Sequence, residues 1–239
     1  MNSAHTRNVR RSDPRIKAIY KTLYNVCGPQ RWWPGDTQLE MMVGAILTQN
    51  TSWKNVEKAI DRVKDAGLFS SVFAFASTSG ERLAELIRPA GYYNIKAKRL
   101  KNLIKMVMSR YNGDIDRMGR EDTASLRSAL LSVSGIGPET CDSILLYAFD
   151  RPVFVVDTYT KRIFFRHGIL SNDLLYDEVQ SLFIHNLPSS AKIFNEYHAL
   201  IVRLAKDYCR TKPRCGTCPL KKYRRSRQLS VADDDNPCK

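Results

Sequence analysis

Four groups of residues in this chain have the types and spacing for chemistry. The first is Gly135-Ile136-Gly137-Pro138-Glu139-Thr140, two glycines flanking an apolar residue just ahead of a helical stretch. Such a turn aims backbone N–H groups outward at a helix N-terminus and can hold a phosphate, although similar turns join helices that bind nothing. The second is Asp157, in Val155-Val156-Asp157-Thr158. An aspartate there caps the helix that follows, and the helix dipole favours its ionised form. The third is Cys209, Cys215 and Cys218, with five and two residues between them, whose crowding points to a metal. The fourth is Trp32-Trp33-Pro34, which suits a packed core as well as it suits a ligand pocket.

In combination these segments resemble the helix-hairpin-helix (HhH-GPD) DNA glycosylases of the endonuclease III superfamily. The hairpin is followed, 20 residues after Gly137, by the Val-Asp-Thr segment, and Leu47-Thr48-Gln49-Asn50-Thr51 matches the family segment that pushes a polar wedge into the duplex. The match covers most of residues 30–220. It implies Asp157 as the catalytic carboxylate, Gln49 as the wedge, and Gly135, Ile136, Gly137 and Thr140 as a phosphate-binding hairpin. Breaking an N-glycosidic bond builds positive charge on the sugar, which an ionised carboxylate stabilises or whose attacking water it orients. The base must first leave the stack, opening a gap for the wedge.

Arg31-Trp32-Trp33-Pro34 together with Arg88-Pro89-Ala90-Gly91-Tyr92-Tyr93-Asn94-Ile95-Lys96-Ala97-Lys98-Arg99-Leu100 resembles the 3-methyladenine DNA glycosylase III branch. That branch stacks aromatic residues on the damaged base, which implies Trp32, Trp33 and Pro34 as the base pocket. An alkylated purine is cationic, so an aromatic face attracts it, and its glycosidic bond is already weakened. One position departs from the strand-nicking branch: its lysine nucleophile falls at Glu139 here. A monofunctional enzyme is therefore expected. The alternatives are a bifunctional glycosylase and lyase acting on oxidised or mismatched pyrimidines, and a DNA-binding module without catalysis.

The cysteine run resembles the C-terminal iron-sulfur loop of the family, which implies a 4Fe-4S cluster on Cys209, Cys215 and Cys218. The fourth ligand expected six residues on is Arg224, which leaves Cys238. Zinc is the competing occupant. His167, His185 and His198 match no triad or metal spacing and read as packing or surface residues. The basic run from Lys96 to Lys105 reads as a phosphate-facing or merely solvated helix face.

Composition agrees with such a partner. A net charge of +14 over 239 residues favours approach to a polyanion, so double-stranded DNA with a damaged base is the expected partner. No apolar run reaches the roughly 18 residues a membrane helix needs, and residues 1–13 have no apolar stretch behind their arginines. A monomer in a prokaryotic cytoplasm, at the nucleoid while acting, is expected.

These residues need helices to position them. Apolar residues recur at three and four over 16–26 and 37–50, and further helices are expected at 53–65, 81–87, 94–111, 122–131, 158–166, 174–186 and 189–206. Val153 to Val156 is too short for a sheet. The expected class is all-α with two helical lobes. One spans 36–150 and includes the hairpin, 131–145. The other is 14–35 plus 151–223, with the Cys-rich loop 209–218. A basic arm (1–13) and a disordered tail (224–239) flank them.

Overall fold

The computed structural model describes residues 12–223. Arg224, Cys238 and nearly all of the expected arm and tail lie outside the described residues. Within them the protein is helical and has no strand. Of the described residues, 12–32 and 152–223 form one compact unit, and Trp33–Arg151 forms the other.

The Trp33–Arg151 unit contains α2 (Gln38–Leu47), α3 (Trp53–Asp65), α4 (Val72–Ser77), α5 (Gly80–Leu86), α6 (Tyr93–Tyr111), α7 (Ile115–Gly119), α8 (Thr123–Leu131) and α9 (Pro138–Phe149). Helix α2 is its centre, with every residue from Leu39 to Leu47 buried except Met41, and it packs on α9 and α6. Thr37 starts it, its hydroxyl accepting from the Glu40 N–H at 3.1 Å. Glu40 is itself buried, and Lys64 neutralises it at 2.9 Å. Asp122 caps α8 in the same manner, accepting from the Ala124 and Ser125 N–H groups at 3.0 Å.

Lys96 is the unusual core residue of this unit. Its side chain is buried, and Nζ donates to the carbonyls of Leu47 and Ala90, each at 2.8 Å. Leu47 ends α2 and Ala90 ends the single 3-10 turn Arg88–Ala90, so one amine satisfies two helix-end carbonyls that would otherwise lack donors. Burial, and after it the neighbouring Arg99 guanidinium, pull the Lys96 pKa down to about 8 from 10.5. In that window the unfolded chain holds the proton and the folded chain does not, so stability contributed at this site rises with pH. The neutral amine still has two N–H donors for its two carbonyls. We therefore expect the stability of wild type relative to Lys96→Met to increase between about pH 8 and 10.5, read as chemical-denaturation midpoints across that range.

The other unit contains α1 (Arg15–Cys27), α10 (Thr158–Arg166), α11 (Tyr176–Asn186) and α12 (Ala191–Asp207), followed by the 3-10 turns Cys215–Thr217 and Lys221–Tyr223. Its core is aromatic. Phe154 stacks on Phe183 with centroids 4.1 Å apart, and Phe164, Phe194 and Tyr197 meet this pair edge-on. Tyr197 has its hydroxyl satisfied by the Ile16 carbonyl at 2.8 Å, which ties α12 to α1. Asp13, which falls in the expected arm, is instead buried; its N–H donates to Asn186 and its carboxylate pairs with Arg15 at 2.6 Å.

Val153 to Val156 is an extended run threaded through this core rather than a strand. Buried backbone without a sheet still needs partners. Gln180 supplies one by donating to the Phe154 carbonyl at 2.7 Å, and Tyr176 another by accepting from the Val156 N–H at 3.3 Å. The run delivers Asp157 to the start of α10 from a fixed support.

Candidate active site

Asp157 is the N-cap of α10, and only 8% of its surface is exposed. Its Oδ1 accepts from the Thr160 N–H at 2.6 Å and the Thr160 hydroxyl at 2.7 Å. Its Oδ2 lies 3.5 Å from Nε2 of His198, a buried residue of α12. Burial pushes the carboxyl pKa upward, but the His198 imidazole and the two Thr160 donors outweigh it and hold the group below the usual carboxylate value. The result is a buried anion with one oxygen committed to the helix and the other turned toward an imidazole. His198 has no sequence signal, since it lies 41 residues from Asp157 with no motif around it. Only the packing of α12 on α10 brings it there.

The hairpin joins α8 to α9. Gly135 has φ +99°, a conformation that favours glycine, and the Ile136 N–H closes the turn on the Val133 carbonyl at 3.0 Å. Gly137 is the extended N-cap of α9, and Pro138 starts the helix. Gly137, Pro138 and Glu139 are exposed, whereas Ile136 and Thr140 are buried. Of the expected phosphate-binding residues, Ile136 and Thr140 therefore stand behind the exposed tip. Beneath the hairpin, Asp142 is fully buried and takes two hydrogen bonds from Arg127 of α8, at 2.8 and 3.3 Å.

Gln49 sits beside the hairpin in the same unit. Its Nε2 donates to the Gly135 carbonyl at 3.1 Å and to the Thr140 hydroxyl at 2.9 Å, and its Oε1 accepts from Arg99. Tyr92, the residue just before α6, has φ +47° and is 68% exposed. A left-handed backbone under an exposed aromatic side chain is strain of the kind found at binding sites, and it has no sequence signature. The basic run on α6 is largely spent inside the unit. Lys96 is buried, and Lys101 donates to the carbonyls of Phe75, Ala76 and Thr78 at 2.7–3.3 Å. Lys98 and Lys105 are its exposed cations.

Trp33 and Trp32 are each half-buried, and Pro34 is exposed. Trp33 stacks on Tyr147 of α9 with centroids 4.7 Å apart and meets Trp53 edge-on at 5.0 Å. A Cβ on Gly44 would lie 3.3 Å from the Trp33 ring, so α2 presents its one glycine where the indole crosses. Tyr147 and Trp53 are partners that sequence reading missed, because each lies on a helix whose apolar face hides it.

Cys209, Cys215 and Cys218 line one cavity together with Arg166, His167 and Lys221. Arg166 Nη1 donates to the Cys209 sulfur at 3.4 Å. Burial, with the nearby Cys209 and Cys215 sulfurs adding to it, pushes the Cys218 thiol pKa up. Among the described residues no group of three or more His, Cys, Asp and Glu side chains is arranged to hold a metal ion. The described residues also contain no helix long and apolar enough to cross a membrane.

The sequence profile of the HhH-GPD superfamily of base excision DNA repair proteins matches residues 43–188. A Methanocaldococcus jannaschii protein named as a putative DNA repair glycosylase is 51% identical over 210 residues, covering 87% of this chain and 94% of that protein. Endonuclease III of Sulfolobus acidocaldarius is 27% identical over 198 residues, covering 83% of this chain and 84% of the enzyme. Among solved structures, H. pylori 3-methyladenine DNA glycosylase bound to 1,N6-ethenoadenine superimposes with a TM-score of 0.71 at 30% identity, covering 80% of this chain and 97% of that one. The chain belongs to the HhH-GPD superfamily and is a base excision repair glycosylase of the endonuclease III kind.

Proposed function

We propose that the protein extrudes a damaged base from duplex DNA and hydrolyses its N-glycosidic bond without cutting the strand, with alkylated purines as its substrates. The observation that carries this reading is the buried, ionised Asp157, one oxygen fixed by Thr160 and the other facing His198. As the bond to the base breaks, its electron pair leaves with the base and C1′ becomes cationic. Asp157 stabilises that charge; water then adds to C1′ and releases a proton, giving an abasic sugar. An already cationic purine leaves without strong acid catalysis.

Glu139 at the lysine position supports hydrolysis by water over a Schiff base, because a carboxylate cannot form an imine. The half-buried Trp33, stacked on Tyr147, supports an aromatic base pocket shared with Trp32 and Pro34. The relation to a 3-methyladenine glycosylase bound to an alkylated adenine points the same way. Gln49 fills the gap left by the base, and the exposed hairpin tip holds a phosphate through backbone N–H groups.

Cys209, Cys215 and Cys218 line one cavity, and the family resemblance favours a cluster there over zinc. Cys209, Cys215 and Cys218, with Cys238 as the fourth, would hold a 4Fe-4S cluster. Its contribution would be structural, fixing the loop that carries Lys212, Arg214, Lys221 and Lys222.

Base release from duplexes containing 3-methyladenine, thymine glycol or a G:T mismatch tests the proposal, with and without alkali and with borohydride present. Release of the alkylated purine, strand cleavage only after alkali and no trapped adduct are expected. Release of a pyrimidine overturns the substrate class, a trapped covalent adduct overturns the monofunctional reading, and no release from any duplex leaves a DNA-binding module.

A further inference from the structure

We infer that Arg99 is a positioning residue for Gln49, fixing both the place and the sense of its amide before DNA arrives. The inference rests on the proposed role of Gln49 at the duplex.

Arg99 lies on α6, and its guanidinium donates to Oε1 of Gln49. Nε2 of the same amide donates to the Gly135 carbonyl and the Thr140 hydroxyl, at 3.1 and 2.9 Å. A guanidinium has donors only and a peptide carbonyl is an acceptor only, so the amide fits in one sense and a flip would break both ends. Helix α6 also grips the hairpin directly. The stem of Arg99 crosses Gly135 so closely that any Cβ there would collide with it, and Asn102, on the next turn, donates to the Ser134 carbonyl at 3.0 Å. One helix thus clasps two successive hairpin residues and Gln49. The backbone just beyond Gln49 turns left-handed at Asn50, with φ +52°. A side chain tethered at both ends of its amide has already given up its rotamer freedom, so less ordering remains when the gap opens around it.

The test is a double-mutant cycle on binding rather than turnover. Wild type, Arg99→Ala, Arg99→Lys, Gln49→Ala and Arg99→Ala/Gln49→Ala are titrated with an intact duplex and with one carrying a tetrahydrofuran abasic analogue. Melting temperatures of the free proteins check that each variant is folded. We expect Arg99→Ala to lower the preference for the abasic duplex roughly tenfold, as loss of a charge-assisted hydrogen bond would. Arg99→Lys, which keeps a donor for Oε1, should recover part of that preference, and Arg99→Ala should change nothing further in the Gln49→Ala background. An equal loss of affinity for both duplexes, persisting in the Gln49→Ala background, would make Arg99 a phosphate contact and overturn the inference. So would a wild-type preference that survives Arg99→Ala. A wild type with no preference for the abasic duplex defeats the reading of Gln49 itself, and this inference falls with it.

Discussion

Asp157→Asn is expected to reduce base release by about 10³-fold or more while leaving the fold in place. Asparagine is as good an N-cap as aspartate, and its side-chain oxygen can still accept from the Thr160 N–H that Oδ1 now binds at 2.6 Å. What disappears is the negative charge, and with it the stabilisation of the cationic sugar. Single-turnover release of the base, with protein in excess over the lesion duplex, reads the chemical step. Residual release within tenfold of wild type would mean that Asp157 is only a cap. The same pair of proteins makes a second measurement possible. The Asp157 carboxyl is held below its ordinary value, near 3.9 in an unfolded chain, so the folded state binds fewer protons in that range. Its contribution to stability is complete above the ordinary value and is lost as the pH falls through the folded one. The difference in melting temperature between wild type and Asp157→Asn should therefore shrink on acidification below about pH 5.

The helices were legible in the sequence wherever a long apolar face repeats. α3, α10 and the end of α6 fall at the expected residues, because each carries a continuous stripe and a clear stop. α4 and α7 were not legible. They are five or six residues long, too short to show a period, and exist because Ser71 and Asp114 cap them against the rest of the unit. The run Val153–Val156 reads in the sequence as too short for a sheet, and the side chains of Gln180 and Tyr176 explain how its backbone survives burial. Motif spacing singled out Asp157 and the hairpin, since chain-local geometry fixes both. It could not find His198, Arg99 or Tyr147, whose roles depend on which helix faces which. Charge was misleading on α6, where Lys96 and Lys101 serve carbonyls inside the unit and not a solvated face. A count of basic residues cannot tell a helix-end donor from a phosphate contact.

The largest stability effect is expected under the hairpin. Asp142 is 0% exposed, and Arg127 reaches it with two nitrogens from the preceding helix, one a 2.8 Å bond from Nε. A buried carboxylate that loses this cation keeps its desolvation cost without the attraction that offsets it. Arg127→Met should therefore destabilise the protein by about 3–5 kcal/mol. For a chain of this size that is a fall in melting temperature of roughly 6–20 °C. Removing both charges is a different experiment, because an apolar pair of similar volume has no desolvation cost to carry. Arg127→Met/Asp142→Leu should regain most of the lost melting temperature. If the double variant melts no higher than Arg127→Met, the ion pair is not what joins α8 to α9. Function follows the same order, since these two helices carry the Gly135–Gly137 turn between them. A loosened turn loses the fixed N–H directions that a phosphate requires, so Arg127→Met should weaken binding to damaged and intact duplexes alike. The double variant should recover that binding together with its stability, which separates support of the hairpin from any direct contact of Arg127 with DNA.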